Sequence, residues 1–321
     1  MSVTLRLQPD ASGLAQAASL LQRGELVAFP SETVYGLGGA ATIDSAVAGI
    51  YAAKGRPSYN PLIVHVPDMK TARRLAHFDP QAEALAAAFW PGPLTLVLPL
   101  REGAGLSPRI TAGGSTVALR MPAHPVTLAL LRETGLPLAG PSANPSGKIS
   151  PTNADHVLEG LSGRIAAVLD GGDCSVGVES TIVATGTPAR LLRPGGLAHE
   201  AIELVLDAPL QMPSHAQPAK IEAPGQLTSH YAPDALVRLE ADRPEADEVW
   251  IGFGPECQGA ALTLSATGDL TEAASRLFAA LRQADHLAGS SGRIAVAPIP
   301  RQGLGLAIND RLGRAAAPRD L

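Results

Sequence analysis

SGLAQAASLLQRGELVAF, residues 12–29, reads as a helix, a turn and a buried strand. The Ala- and Leu-rich segment 12–23 suits a helix, Gly24 supplies its C-terminal stop, and the apolar run Leu26 to Phe29 follows as a strand. This unit recurs. After the polar turn Pro30 to Thr33, Asp44 reads as the N-cap of a helix over 45–54, which Gly55 and Pro57 end. Pro61 then opens the strand LIVHV. A helix over 80–89 leads through PGPLT into a strand at 94–98. Further strands are expected at 116–120, 136–139, 167–169 and 181–184, with helices after Pro125 and after Thr152. The pattern is α/β with a mixed sheet.

From Asp207 to Pro233 periodicity vanishes and proline becomes frequent, as in an extended linker. We therefore expect a first domain over 1–206, a linker over 207–233 and a smaller α/β domain over 234–321. The second would hold strands at 236–239, 249–253, 262–264 and from Arg293, with helices over 271–283 and 305–316. Two domains also suit 321 residues, more than one hydrophobic core usually serves.

The 45% hydrophobic content is that of a globular protein, and with 3% aromatics the core must be aliphatic. A net charge of -5 and a pI near 5.9 argue against a broad nucleic-acid face. Cys174 and Cys257 show neither disulfide nor zinc spacing, which suits a reducing cytoplasm. The start MSVTLRLQPD lacks a secretory pattern, and no apolar run reaches membrane-spanning length.

GLGGAA at 36–41 formally fits a dinucleotide loop, but it begins six residues past the strand and no acidic residue follows at the required spacing. A Walker loop, a paired-His metal motif and a nucleophile elbow are likewise missing from the sequence. What is left is a series of small-polar and cationic loops. Ser31, Glu32, Thr33 and Tyr35 follow a strand end, where α/β folds place ligands, although a turn residue bonding its own backbone is the plainer reading of Thr33. Lys54 and Arg56 flank Gly55 and could receive phosphates or merely offset a helix dipole. His65 interrupts LIVHV, where a satisfied core histidine is the plainer reading. Arg120 ends the strand TVALR, so near a buried run that it needs an anion, from protein or ligand. Residues 140–152, GPSANPSGKISPT, offer hydroxyl and backbone donors without bulk, or form a plain surface loop. Ser180 opens STIV, and Arg193 precedes the turn Pro194-Gly195.

Singly these signals are weak, but their order is specific. FPSETVYGLG, AKGRPSYNPLIVHV, PGPLT, TVALRMP, GPSANPSG, ESTIV and LLRPGG, across 29–196, resemble the threonylcarbamoyl-AMP synthase family. APGQLTSHYAP, LFAALRQAD and GLGLAINDRLGRAA resemble its long form. The resemblance implies a YrdC-like twisted open mixed sheet with a concave positive cavity, plus a small Rossmann-like α/β C-terminal domain. It implies synthesis of threonylcarbamoyl-AMP and pyrophosphate from L-threonine, bicarbonate and ATP, for tRNA modification, with the product passed to a downstream transferase.

Carried over motif by motif, it implies that Thr33, His65, Arg120, Gly140 and Ser180 bind L-threonine. Arg56, Asn60, Thr116, Ser142, Asn144, Ser150, Arg193 and the linker's Tyr231 would contact ATP. Lys54 would lie beside the phosphates, and Lys54 and Arg56 would be the catalytic cations. An arginine fork at Arg120 suits a carboxylate. Magnesium would be held mainly by the phosphates and water, so no protein metal ligands are expected. The linker departs from the family pattern, reading Gln226, Leu227, Thr228, Ser229 before His230 and Tyr231. The acidic net charge suits weak or absent tRNA binding. Two alternatives are a nonenzymatic RNA-binding protein using the cavity and a carbamoyl transferase of hydrogenase maturation. The first sits poorly with scarce aromatics, and the second needs zinc-finger and acylphosphatase modules that this sequence lacks.

Overall fold

The computed structural model describes residues 3–213, 230–289 and 292–318. The linker stretch 214–229, with Gln226 to Ser229, lies outside the described residues. The chain opens with β1 (Leu5–Leu7), α1 (Ala11–Gln22), β2 (Val27–Phe29), β3 (Gly36–Ala40), α2 (Asp44–Lys54) and β4 (Ile63–His65). It continues through α3 (Met69–Leu75), α4 (Pro80–Phe89), β5 (Leu94–Pro99), β6 (Thr116–Arg120), α5 (Pro125–Thr134) and β7 (Leu138–Ala139). Then come α6 (Ala154–Leu161), β8 (Ala167–Leu169), β9 (Thr181–Ala184), β10 (Arg190–Arg193) and α7 (His199–Leu206). After the linker follow β11 (Leu236–Arg238), β12 (Glu248–Gly252), β13 (Leu262–Thr263), α8 (Leu270–Ala288), β14 (Arg293–Val296) and α9 (Leu304–Ala315).

Ten strands form one mixed sheet in the order β1-β8-β2-β3-β7-β4-β6-β5-β9-β10. The four strands after the linker form a separate parallel sheet, β11-β14-β12-β13. Among the described residues no helix is long and apolar enough to cross a membrane. Cys174 and Cys257 are both free thiols.

Helix starts are set by side-chain caps: Asp10, Asp68, Asp79, Asn153 and Asp269 each accept a first-turn amide. Asp44 differs from its expected role. It is the first residue of α2 rather than its cap, and its carboxylate accepts from Ser107 Oγ and Arg109 Nε instead.

The alternation of strand side chains splits the core of the large sheet. On β2, Ala28 joins the cluster under α2, α4 and α6, while Val27 and Phe29 face α1 and α5. Each fully buried Leu or Val there stabilises by about 1.5–3 kcal/mol. On the second face, α1 and α5 cover β1, β8, β2 and β7, while the buried Ile63, Ala118, Val97, Ile182 and Ala184 form a separate cluster with Leu192. Beside these strand ends a cleft opens, with Ile63 in its wall.

The segment 36–40 that resembles a dinucleotide loop is instead β3, antiparallel to β2 and β7. Gly38 is required there because a Cβ would stand 2.7 Å from the Val27 carbonyl and 2.9 Å from the Phe29 ring. The sequence reading also misses β1, β10, α3 and α7, all shorter than the stretch over which hydrophobic periodicity is read.

Candidate active site

The cleft, about 560 Å³ when the open solvent at its mouth is counted, is built by strand ends. His65 ends β4 and Arg120 ends the parallel neighbour β6, paired in register. Ser31 and Thr33 follow β2, Gly140 follows β7, Ser180 precedes β9 and Arg193 ends β10; all of these line the cleft. Ligands commonly settle at such ends in open α/β sheets.

One half of the cleft is polar and tightly packed. Arg120 is buried, and its Nη1 donates to Thr33 Oγ1 at 2.8 Å, its Nη2 to Glu32 Oε1 at 2.6 Å, and its Nε to the Gly92 carbonyl at 3.2 Å. The anion that Arg120 needs is thus provided by the protein as Glu32. Burial opposes the Glu32 charge, but the Arg120 guanidinium outweighs it and holds the carboxyl below its ordinary range. The second oxygen of Glu32 is buried with no hydrogen-bond partner.

His65 is not a satisfied core histidine. It packs edge-on against Phe29 at 5.4 Å, and its buried Nδ1 has no partner. Burial first, then the Arg120 charge, pushes its pKa down to about 3, so the ring is neutral. Gly140 makes room: a Cβ would sit 2.8 Å from both His65 Nδ1 and the Phe29 ring. Ser180 Oγ shares a hydrogen bond with Thr95 Oγ1 at 2.7 Å.

The other half is cationic. Arg56 lines the cleft, gives Nη2 to the Pro61 carbonyl at 3.0 Å, and has no carboxylate within ion-pair distance among the described residues. Burial lowers its pKa to about 10, which still leaves it charged at neutral pH. Arg193 donates Nε and Nη2 to the Ser180 carbonyl. Ser142 and Tyr231 complete the wall, and Tyr231 stacks on Phe278 of α8 at 5.4 Å.

Not every expected residue reaches this wall. Lys54 Nζ is spent on the carbonyls of Ser142 and Asn144, at 2.6 and 2.5 Å, so it fixes the 140–147 loop from behind. Burial, reinforced by Arg56, moves its pKa well below the ordinary lysine value. Asn60 and Asn144 are buried and do not line the cleft; Asn144 lines a second pocket with Lys148 and Arg282, and each has an Oδ1 with no partner among the described residues. Ser150 gives its hydroxyl to Glu179 at 2.6 Å. Thr116 begins β6, about 13 Å of strand rise from Arg120.

Glu179 and His230, titratable residues to which the sequence reading gives no role, also line the cleft. Both stand inside the quoted blocks ESTIV and APGQLTSHYAP, but spacing alone says nothing of which way they face. No group of three or more His, Cys, Asp or Glu able to hold a metal occurs among the described residues.

The comparisons accord with this geometry. A family model described as "Telomere recombination" matches residues 19–195, and one described as "Threonylcarbamoyl-AMP synthase, C-terminal domain" matches 197–317. The chain is 44% identical to the threonylcarbamoyl-AMP synthase of Bacillus subtilis, across 99% of this chain and 97% of that one. It is 42% identical to the one from Pyrococcus abyssi, across 94% of each. The structure of P. abyssi Sua5 complexed with L-threonine superposes with a TM-score of 0.88 at 38% identity, covering 98% of both chains. By sequence over nearly its whole length, and by fold, this chain belongs to the threonylcarbamoyl-AMP synthase family.

Proposed function

We propose that this chain is an L-threonylcarbamoyladenylate synthase, a nucleotidyltransferase serving threonylcarbamoyladenosine modification of tRNA. One observation carries the reading. A neutral histidine with a free buried nitrogen, an arginine fork and two hydroxyls share one cleft with Arg56 and Arg193. The first set suits a small zwitterion with a hydroxyl, and the second suits a polyphosphate.

L-threonine is placed among Thr33, His65, Arg120, Gly140 and Ser180, with its carboxylate on Arg120. Since Glu32, Thr33 and Gly92 already engage that guanidinium, the substrate must share it or displace one of them. ATP is placed along Arg56, Asn60, Thr116, Ser142, Asn144, Ser150, Arg193 and Tyr231. Arg56 is the catalytic cation, and Lys54 contributes by holding the 140–147 loop against the nucleotide. Magnesium would be carried by the triphosphate and water, which suits a site whose carboxylates among the described residues, Glu32 and Glu179, are already in ion pairs.

The threonine amine combines with bicarbonate, losing water, to give a carbamate. A carbamate oxygen attacks the α-phosphorus and the α–β bridge breaks, releasing pyrophosphate and leaving threonylcarbamoyl-AMP. The protein forms no covalent intermediate in this scheme. It holds two anions together and offsets charge at the phosphates, which is where catalysis by positioning and electrostatics acts. The product would be handed to a transferase in the cytoplasm, with weak or no tRNA binding by this chain. Residues 1–206 would form the catalytic domain and 234–321 the accessory one.

The test is pyrophosphate release from ATP, with and without L-threonine and bicarbonate. Release should need both; release indifferent to either would sink the assignment.

A further inference from the structure

Arg311 belongs to α9, yet its side chain is wholly buried against the large-sheet unit. Its Nε donates to Glu179 Oε2 at 2.8 Å, and its Nη1 to the Pro194 carbonyl at 2.9 Å and to Asp310 at 2.6 Å. Its guanidinium carbon lies 5.2 Å from the centre of the Tyr231 ring. The second oxygen of Glu179 accepts from Ser150 Oγ. A carboxylate in the wall of the cationic half is therefore held between that half's own hydroxyl and an arginine sent across from the other sheet.

The charge balance gives this contact a purpose. Uncompensated, Glu179 would repel a triphosphate and draw Arg193 toward itself, and in a dry site both effects are strong. Paired with Arg311, which also holds Asp310, Glu179 no longer opposes the positive charge that Arg56 brings to the cleft. A mere strut between the units has no need to end on an acid in the cleft wall, since half-exposed pairs such as Arg282–Glu159 already join them.

We propose that Arg311 is a positioning residue for ATP: by neutralising Glu179 it keeps the cationic half receptive to phosphate and makes nucleotide affinity depend on seating of the C-terminal unit. The inference rests on the ATP reading above.

The test uses the full chain and equilibrium binding of ATP and, separately, of L-threonine. Arg311→Met should weaken ATP by about tenfold or more, equivalent to about 1.4 kcal/mol, while threonine binding changes less than about twofold. Glu179→Gln should bind ATP at least as tightly as the parent, and Arg311→Met/Glu179→Gln should return to within about threefold of it. A structural strut predicts the opposite sign for Glu179→Gln, with both ligands lost together, and that result would overturn the proposal. If Arg311→Met does not fold, Glu179→Gln decides alone: unchanged or tighter ATP binding supports it, tenfold weaker binding refutes it. A parent chain that binds neither ligand would refute the site reading itself, a failure visible before any variant is made.

Discussion

The two halves of the cleft solve the burial of charge in opposite ways. In the half proposed for threonine, Arg120 and Glu32 neutralise each other within the large-sheet unit, and the atoms left over, His65 Nδ1 and Glu32 Oε2, are buried with no partner among the described residues. In the half proposed for the nucleotide, Arg56 faces the cleft with no carboxylate within ion-pair distance among the described residues, and the acid in the wall, Glu179, is paired with Arg311 from the other unit. A small substrate that brings both charges needs a neutral, pre-shaped pocket. A polyanion needs surplus cations. The first can be finished by one sheet; the second depends here on how two units dock.

The sharpest way to break this comparison is Arg120→Ala. Removing one partner of a buried pair leaves Glu32 unpaired, at about 3–5 kcal/mol of stability. Threonine-dependent pyrophosphate release should drop by about a hundredfold or more, because the carboxylate loses its fork. ATP binding, measured directly, should change less than about threefold if the halves are independent. Equal loss of both ligands would merge the two halves into one.

This division was only partly legible in the sequence. The α/β class showed because long helices and apolar strands alternate, and Arg120 showed because a charge closing TVALR must find an anion. Its partner did not show: Glu32 lies 88 residues away and reaches Arg120 only once β2 and β6 are laid into one sheet. β3 was hidden because glycine is a poor strand former, and its glycines serve packing against Phe29 instead. Arg311 was hidden for a different reason. On an amphipathic helix an arginine is normally solvated, and nothing in GLGLAINDRLGRAA says that one position is wholly buried.

A second test uses pH and asks whether both halves are equally dry. His65 in one half and His230 in the other are both pushed down to about 3, in each case mainly by burial, with nearby cations adding to it. The unfolded chain takes up protons on them near 6.5 while the folded chain does not, so stability is full above 6.5 and falls as pH drops toward 3. Each histidine contributes a slope of about 1.4 kcal/mol per pH unit in that window. Denaturant unfolding between pH 6.5 and 4.5 should show it. Replacing either with Gln should remove about one proton from the slope. If only one does, that half alone is dry.

Gly140→Ala is a smaller perturbation of the threonine half. The added methyl meets His65 Nδ1 and the Phe29 ring at 2.8 Å, so the imidazole must move. Overpacking of this kind costs about 1–3 kcal/mol. Threonine KM should rise about tenfold or more while ATP KM stays within about twofold. A matching rise in both would mean that the 140–147 loop, braced by Lys54, transmits the shift to the nucleotide.

The smallest effect is expected from Arg282→Met, which bears on whether the nucleotide half depends on docking in general or on Arg311 in particular. Arg282 sits on α8 and joins the units outside the main cleft, through Glu159 at 2.6 Å and the Ile149 carbonyl at 3.0 Å. Losing one half-exposed ion pair and one hydrogen bond should cost about 1–2 kcal/mol of stability, visible as a lower Tm. ATP affinity should move less than about twofold, since no charge in the cleft wall changes. If Arg282→Met weakens ATP as much as Arg311→Met does, looser docking alone explains both. If it does not, the half proposed for the nucleotide is sensitive to one charge at one position, which is what a site that draws a polyanion past a carboxylate in its own wall should be.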